Sequence, residues 1–140
     1  MKTFKRVLFA LAITTFIFSG CKKFEDGPRF SLLTKKSRLT GKWKIEKVLF
    51  NGADSTASYI NKLGSSFVLD IQKNGSYTVS GNFPDEGKWV FGEDKDDVYF
   101  TPNSTGIEDA ERILRLKKDE LWLRHIFSNA SSQEIHYVPA

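Results

Sequence analysis

Residues 66–83 read SFVLDIQKNGSYTVSGNF, two alternating runs joined at Asn74-Gly75. Phe67, Leu69 and Ile71 share one phase before the joint; Tyr77 and Val79 resume it afterwards, and Phe83 follows. Successive side chains of a strand point to opposite faces, so this alternation marks a sheet with one buried side. Asn-Gly accepts the positive φ angles of a tight turn and is the strongest short-range hairpin signal. The stretch therefore predicts an antiparallel hairpin with an apolar inner face. Upstream, residues 41–50 (GKWKIEKVLF) alternate, then slip register after Glu46, which predicts a β-bulge. Asn51-Gly52 ends that run, and Asp54 to Leu63 is polar and mixed, a loop or one helical turn. Downstream, Pro84 to Gly87 has turn chemistry. Runs at 88–91, 98–101, 112–117, 120–127 and 134–138 follow, each flanked by polar residues. About eight short, closely connected strands predict an all-β antiparallel barrel or sandwich, with no long amphipathic helix.

The N-terminus has a different character. Lys2, Lys5 and Arg6 precede Val7 to Phe18, 12 residues without a charge, and Ser19-Gly20-Cys21 follow at once. Charge, apolar run and small residues in that order make a signal peptide over residues 1–20. The run is too short for a transmembrane helix, which needs about 20 apolar residues. Phe18-Ser19-Gly20-Cys21 resembles the lipobox of bacterial lipoproteins. That resemblance implies cleavage between Gly20 and Cys21, a diacylglycerol thioether on Cys21 and an acyl group on its amine. Two or more chains anchor durably, because each buried methylene contributes about 0.8 kcal/mol. Cys21 is the single cysteine, so no internal disulfide can form.

The net charge of +4 changes with processing. Removing Lys2, Lys5 and Arg6 leaves 18 basic against 17 acidic side chains, a net of +1. That balance offers no basic footprint for nucleic acid. Charge is nevertheless uneven: residues 22–47 hold nine basic and three acidic groups. This segment can lie on anionic headgroups or remain a solvated tether. Residues 21–39, with Gly27-Pro28 and no sustained periodicity, read as that tether, its end at Ser31 to Arg38 as a short helix. Residues 40–140 are enough for one domain with one core.

Within that domain, Leu39-Thr40-Gly41-Lys42-Trp43 resembles the opening Gly-x-Trp strand of lipocalins and fatty-acid-binding-type barrels. Gly27-Pro28, Ser31 to Leu39, Gly87-Lys88-Trp89 and Asp119-Glu120-Leu121-Trp122-Leu123 extend the resemblance to lipocalin-like domain lipoproteins of the Bacteroidetes type. The resemblance implies a small up-and-down barrel of lipocalin type, preceded by the signal peptide and tether. It implies that Trp43 plugs the closed end, with a basic residue of the last barrel strand, Arg124, as barrel-closing cation. Alternation leaves two arrangements for that strand. Either Trp122 and Arg124 point inward, or Leu121 and Leu123 do and Arg124 lies outside; apolar burial favours the second. Lys22-Lys23-Phe24-Glu25-Asp26 resembles the charged surface-export tags of the same bacterial group. The expected location is the outer membrane, leaning to its outward face, with the periplasmic side open. Asp54-Ser55-Thr56 resembles an O-glycosylation acceptor of that group.

Little in the chain points to catalysis. There is no Gly-x-Ser-x-Gly elbow, Walker loop or dinucleotide fingerprint. His125 and His136 are the only histidines, and zinc needs three or four converging ligands, so they read as unrelated sheet residues. Glu93-Asp94-Lys95-Asp96-Asp97 lacks calcium-loop spacing and reads as an acidic hairpin tip. No catalytic residue, metal or cofactor is expected. Trp43, Phe67, Leu69, Ile71, Tyr77, Trp89, Phe91 and Phe100, with Phe83, mostly share the inward phase. They either fill the barrel or face a ligand within it, since eight strands are just wide enough for one small molecule. The expected function is a non-enzymatic, membrane-anchored binder of a small apolar or amphipathic ligand. The alternative is a structural envelope lipoprotein with a packed barrel and a protein partner. The volume of the interior separates them.

Overall fold

The protein is described here by a computed structural model covering residues 33–140. The signal peptide, Gly20, Cys21 and the tether as far as residue 32 lie outside the described residues. A short helix α1 (Lys35–Leu39) leads into β1 (Gly41–Phe50), β2 (Ala53–Asp54), helix α2 (Thr56–Leu63) and β3 (Leu69–Ile71). Then come β4 (Ser76–Val79), β5 (Asp85–Phe91), β6 (Asp97–Pro102), β7 (Asp109–Leu116), β8 (Leu121–Ile126) and β9 (Ser132–Pro139). All pairings are antiparallel. From β3 to β9 each strand pairs with the next, β1 pairs with β3, and β9 returns to β1. Eight strands therefore close on themselves, which removes exposed sheet edges. The two-residue β2 pairs only with the end of β1.

The turn chemistry is visible in the backbone. Asn51 and Gly52 have φ of 48° and 83°, both positive as a two-residue type I′ hairpin requires. At the second Asn-Gly, the Gly75 N–H donates to Gln72 O and Gly75 has φ 91°. This is a three-residue loop closed by a left-handed glycine. The slip after Glu46 is a bulge: Ile45 lies opposite Tyr137 and Lys47 opposite His136, leaving Glu46 unpaired.

Three local expectations are corrected. Asp54 to Leu63 contains an eight-residue helix rather than one turn. Asp54 Oδ1 accepts from the Thr56 N–H, and Thr56 Oγ1 accepts from the Val48 N–H, fastening the helix start to β1. Pro84 to Gly87 is not the turn. The chain reverses earlier, over Ser80 to Pro84, and Asp85 already pairs with Val79. That reversal breaks the alternation after Val79, so Phe83 is exposed rather than inward. Gly81, at φ 116°, sits where a Cβ would strike Leu63 O, and the Asn82 N–H donates to that oxygen. The turn is thereby tied to the end of α2. Gly87 lies opposite Tyr77, and a Cβ there would fall 2.8 Å from the Tyr77 ring and closer to Thr101 O. The missing side chain makes the space into which that ring folds.

The tether boundary is also corrected. Leu39 is fully buried and belongs to the core with Trp43, Ile71, Trp89, Leu116 and Leu121. The Trp43 indole N–H donates to Leu39 O at 2.9 Å, and Arg38 Nη1 donates to Leu116 O at 3.0 Å. Lys36 stands 6.0 Å from the Trp89 ring, and Lys35 bonds Asp96 at 3.3 Å. The helix thus closes one end of the barrel through an apolar stopper and a ring of polar ties. Burial holds the Arg38 pKa below its ordinary value.

Candidate functional site

Away from that stopper the interior opens into a cavity of about 160 Å³, lined by Phe67, Leu69, Tyr77, Val79, Phe100, Glu111, Leu123 and Tyr137. Apolar and aromatic lining follows from strand alternation. Phe100 and Val98 share the inward phase of β6, and Leu121 and Leu123 that of β8. Tyr77 meets Phe100 edge-on, with ring centroids 5.1 Å apart and planes at 84°. Trp89 meets Phe91 the same way at 5.4 Å. Such edge-to-face pairs fix ring positions beyond what area burial does.

The structure places Trp43, Leu69, Ile71, Tyr77, Trp89 and Phe100 in the buried core, with Phe67 and Phe91 packed against it. Only Phe67, Leu69, Tyr77 and Phe100 of these reach the cavity; Trp43, Ile71, Trp89 and Phe91 are not in its lining. Val79 and Leu123 also line it, and Glu111 and Tyr137 complete it. Neither was among the expected interior residues, yet both carried a signal. Glu111 stands two residues before the buried Ile113, hence in the inward phase of β7. Tyr137 lies opposite the buried Leu121 of β8.

The polar groups of the cavity are perturbed. Burial, with a smaller contribution from the Asp109 charge, pushes the Glu111 carboxyl up to about 8. Burial, then the charges of Asp85 and Asp109, pushes the Tyr77 phenol up to about 12. The Tyr137 phenol is raised as well, by burial first, then by Glu111 and by Tyr59 of α2. His125 Nδ1 lies 3.4 Å from Glu111 Oε1, with both side chains about a quarter exposed.

Arg124 does not close the barrel. Leu121 and Leu123 take the inward phase of β8, so Arg124 faces outward and bonds Glu134 at 2.9 Å. On that outer face Trp122 stacks on His136 at 3.9 Å, and Arg115 lies 4.2 Å from the same indole. His136 Nε2 lies 2.6 Å from Glu134 Oε1, and bonds from His136 and Arg124 hold the Glu134 pKa below its ordinary value despite its partial burial. The basic groups at the closed end come instead from α1. The two histidines belong to separate pairs. Among the described residues, no group of three or more His, Cys, Asp or Glu is arranged to hold a metal. Within the acidic tip, Asp96 bonds Lys35 and Asp97 bonds Arg112. In Asp54-Ser55-Thr56, Asp54 is engaged by Thr56, which lowers its pKa, and Ser55 is partly exposed at the start of α2.

No protein-family model and no curated protein matches the chain. Among solved structures, a lipocalin-like protein from Bacteroides uniformis matches with a TM-score of 0.54 at 13% identity. The match covers 74% of this chain and 99% of that one. Together with the closed eight-strand barrel, it shows a lipocalin-like fold.

Proposed function

We propose that this chain is a membrane-anchored, non-enzymatic lipocalin-like protein that holds one small apolar or amphipathic ligand in its barrel. The observation that carries this reading is the cavity of about 160 Å³ with its aromatic wall and three polar groups. An apolar cavity of about 150 Å³ takes a benzene molecule, so the matching ligand group is benzene-sized. The alternative, a structural envelope lipoprotein with a protein partner, draws support from the same volume. It lies below the roughly 300–1,000 Å³ of ordinary ligand pockets.

Benzyl alcohol is a suitable first probe. Binding is expected to shift NMR resonances of Phe67, Tyr77, Phe100, Leu123 and Tyr137 together. Val79→Phe, which adds volume to the cavity wall, is expected to abolish those shifts and leave the fold intact. Shifts confined to the outer face, or unchanged in Val79→Phe, would favour the packed-barrel alternative.

The anchoring half of the proposal rests on Cys21 after the apolar run. Cys21→Ala is expected to move the protein out of the membrane fraction or leave it as precursor. A variant that is cleaved normally and stays in the membrane would refute the anchor. The proposed location is the outer membrane, outward face favoured, and protease shaving of intact cells distinguishes the two sides.

A further inference from the structure

We infer that the cavity selects a small organic cation, an amine bearing a benzene-sized apolar group, and that Glu111 binds its nitrogen. This rests on the barrel being a ligand binder and specifies what it binds. Among the lining residues Glu111 is the one carboxylate, and the rest are aliphatic or aromatic. Phe67, Tyr77, Phe100 and Tyr137 supply four rings, whose faces attract a cation within about 6 Å of their centroids. An aromatic wall with one carboxylate is complementary to a molecule with an apolar body and a positive head.

The surrounding charges favour the same sign. Asp109 stands two residues from Glu111 and acts on both Glu111 and Tyr77, and Asp85 also acts on Tyr77. The titratable groups around Glu111 are thus Asp109 on its own strand, His125 on β8, Tyr137 on β9 and, across the shared cavity, Tyr77 on β4. His125 is the basic member; its Nδ1 lies 3.4 Å from Glu111 Oε1 and its ring packs edge-on against Phe127 at 4.5 Å. A carboxylate ligand would enter against the fields of Asp85 and Asp109. A neutral apolar ligand would leave Glu111 desolvated with nothing gained. Burial alone makes the charged form of Glu111 costly, and a cationic partner relieves that cost. As the ammonium enters, the Glu111 proton passes to solvent and a carboxylate–ammonium pair forms.

Three probes of similar size separate the possibilities: benzylamine, benzyl alcohol and benzoate, titrated calorimetrically into the full-length protein at pH 7 to 8. Benzylamine is expected to bind at least tenfold more tightly than benzyl alcohol, and benzoate more weakly than either. Benzylamine affinity should rise between pH 6 and 8, whereas benzyl alcohol affinity stays flat. Glu111→Gln, which keeps shape and hydrogen bonding, should erase the amine preference and retain benzyl alcohol. Equal binding of amine and alcohol, or preference for benzoate, would overturn the cation assignment and leave the ligand-binding reading standing. Failure of all three to bind would overturn both. Retention of the amine preference in Glu111→Gln would remove Glu111 from the site.

Discussion

Trp43→Ala is expected to lower the unfolding free energy by about 3–5 kcal/mol, the usual cost of truncating a buried Trp. Trp43 is 2% exposed, packs in the central cluster and donates its indole N–H to Leu39 O. Truncation removes the apolar contacts, leaves a void the rigid barrel cannot collapse, and frees the carbonyl that holds α1 in place. A domain of this size has about 5–15 kcal/mol in total, so the denaturation midpoint should fall steeply. Trp122 provides the control. It lies on the outer face, stacked on His136 and beside Arg115, and Trp122→Ala should cost only about 1 kcal/mol, the scale of an exposed cation–π contact. Urea denaturation of both variants checks the phase assignment. Equal losses would mean that the two indoles do not occupy opposite faces.

The second large effect has the opposite sign. Glu111 carries a pKa raised to about 8 in the folded protein, against 4.5 ordinarily. Between those two values the native state holds a proton that the unfolded chain releases. Stability therefore falls as pH rises through this window, by at most about 1.4 kcal/mol per pH unit, and the loss is complete above pH 8. Glu111→Gln has no proton to lose and keeps the side-chain volume. It should match the parent near pH 4 and exceed it by a few kcal/mol at pH 8.5. Other groups titrate in both proteins, so the difference between the two urea-midpoint profiles isolates Glu111. Parallel profiles would show that Glu111 is well solvated. A carboxylate kept in an apolar wall at the expense of stability fits the binding role proposed for Glu111.

The strands were legible because alternation and turn chemistry act locally. The hairpin turns at Asn51-Gly52 and Asn74-Gly75, the slip after Glu46 and the leucine phase of β8 all lie where their residues place them, the second turn as a three-residue loop in which Gly75 alone has positive φ. What escaped the sequence depended on distant partners. Helix α2 buries no residue fully, and its half-buried Tyr59, Ile60 and Leu63, though at helical spacing, span too few residues for the period to stand out; ties to Val48 and the Gly81 turn hold it. Leu39 sits at the end of a polar segment, and only the closed barrel shows that it is a stopper. Arg124 was expected to close the barrel from fold resemblance, but alternation across Leu121 and Leu123 turned it outward, and α1 supplies the cations at that end. Glu111 shares the inward phase of Ile113, but β7 begins at Asp109 and not at Arg112, so the residue falls just outside the run that alternation marks. The cavity itself was not legible, because it is a remainder left where neighbouring side chains fail to meet.

The central claim is that the interior holds a small molecule. Native mass spectrometry of the full-length protein, purified from its own cells in mild detergent, tests it most directly. The expected result is a non-covalent adduct of low mass, carrying an amine and an apolar group of about benzene size, that is lost in Val79→Phe. Protein purified repeatedly with its lipid modification alone, and unchanged in Val79→Phe, would contradict it.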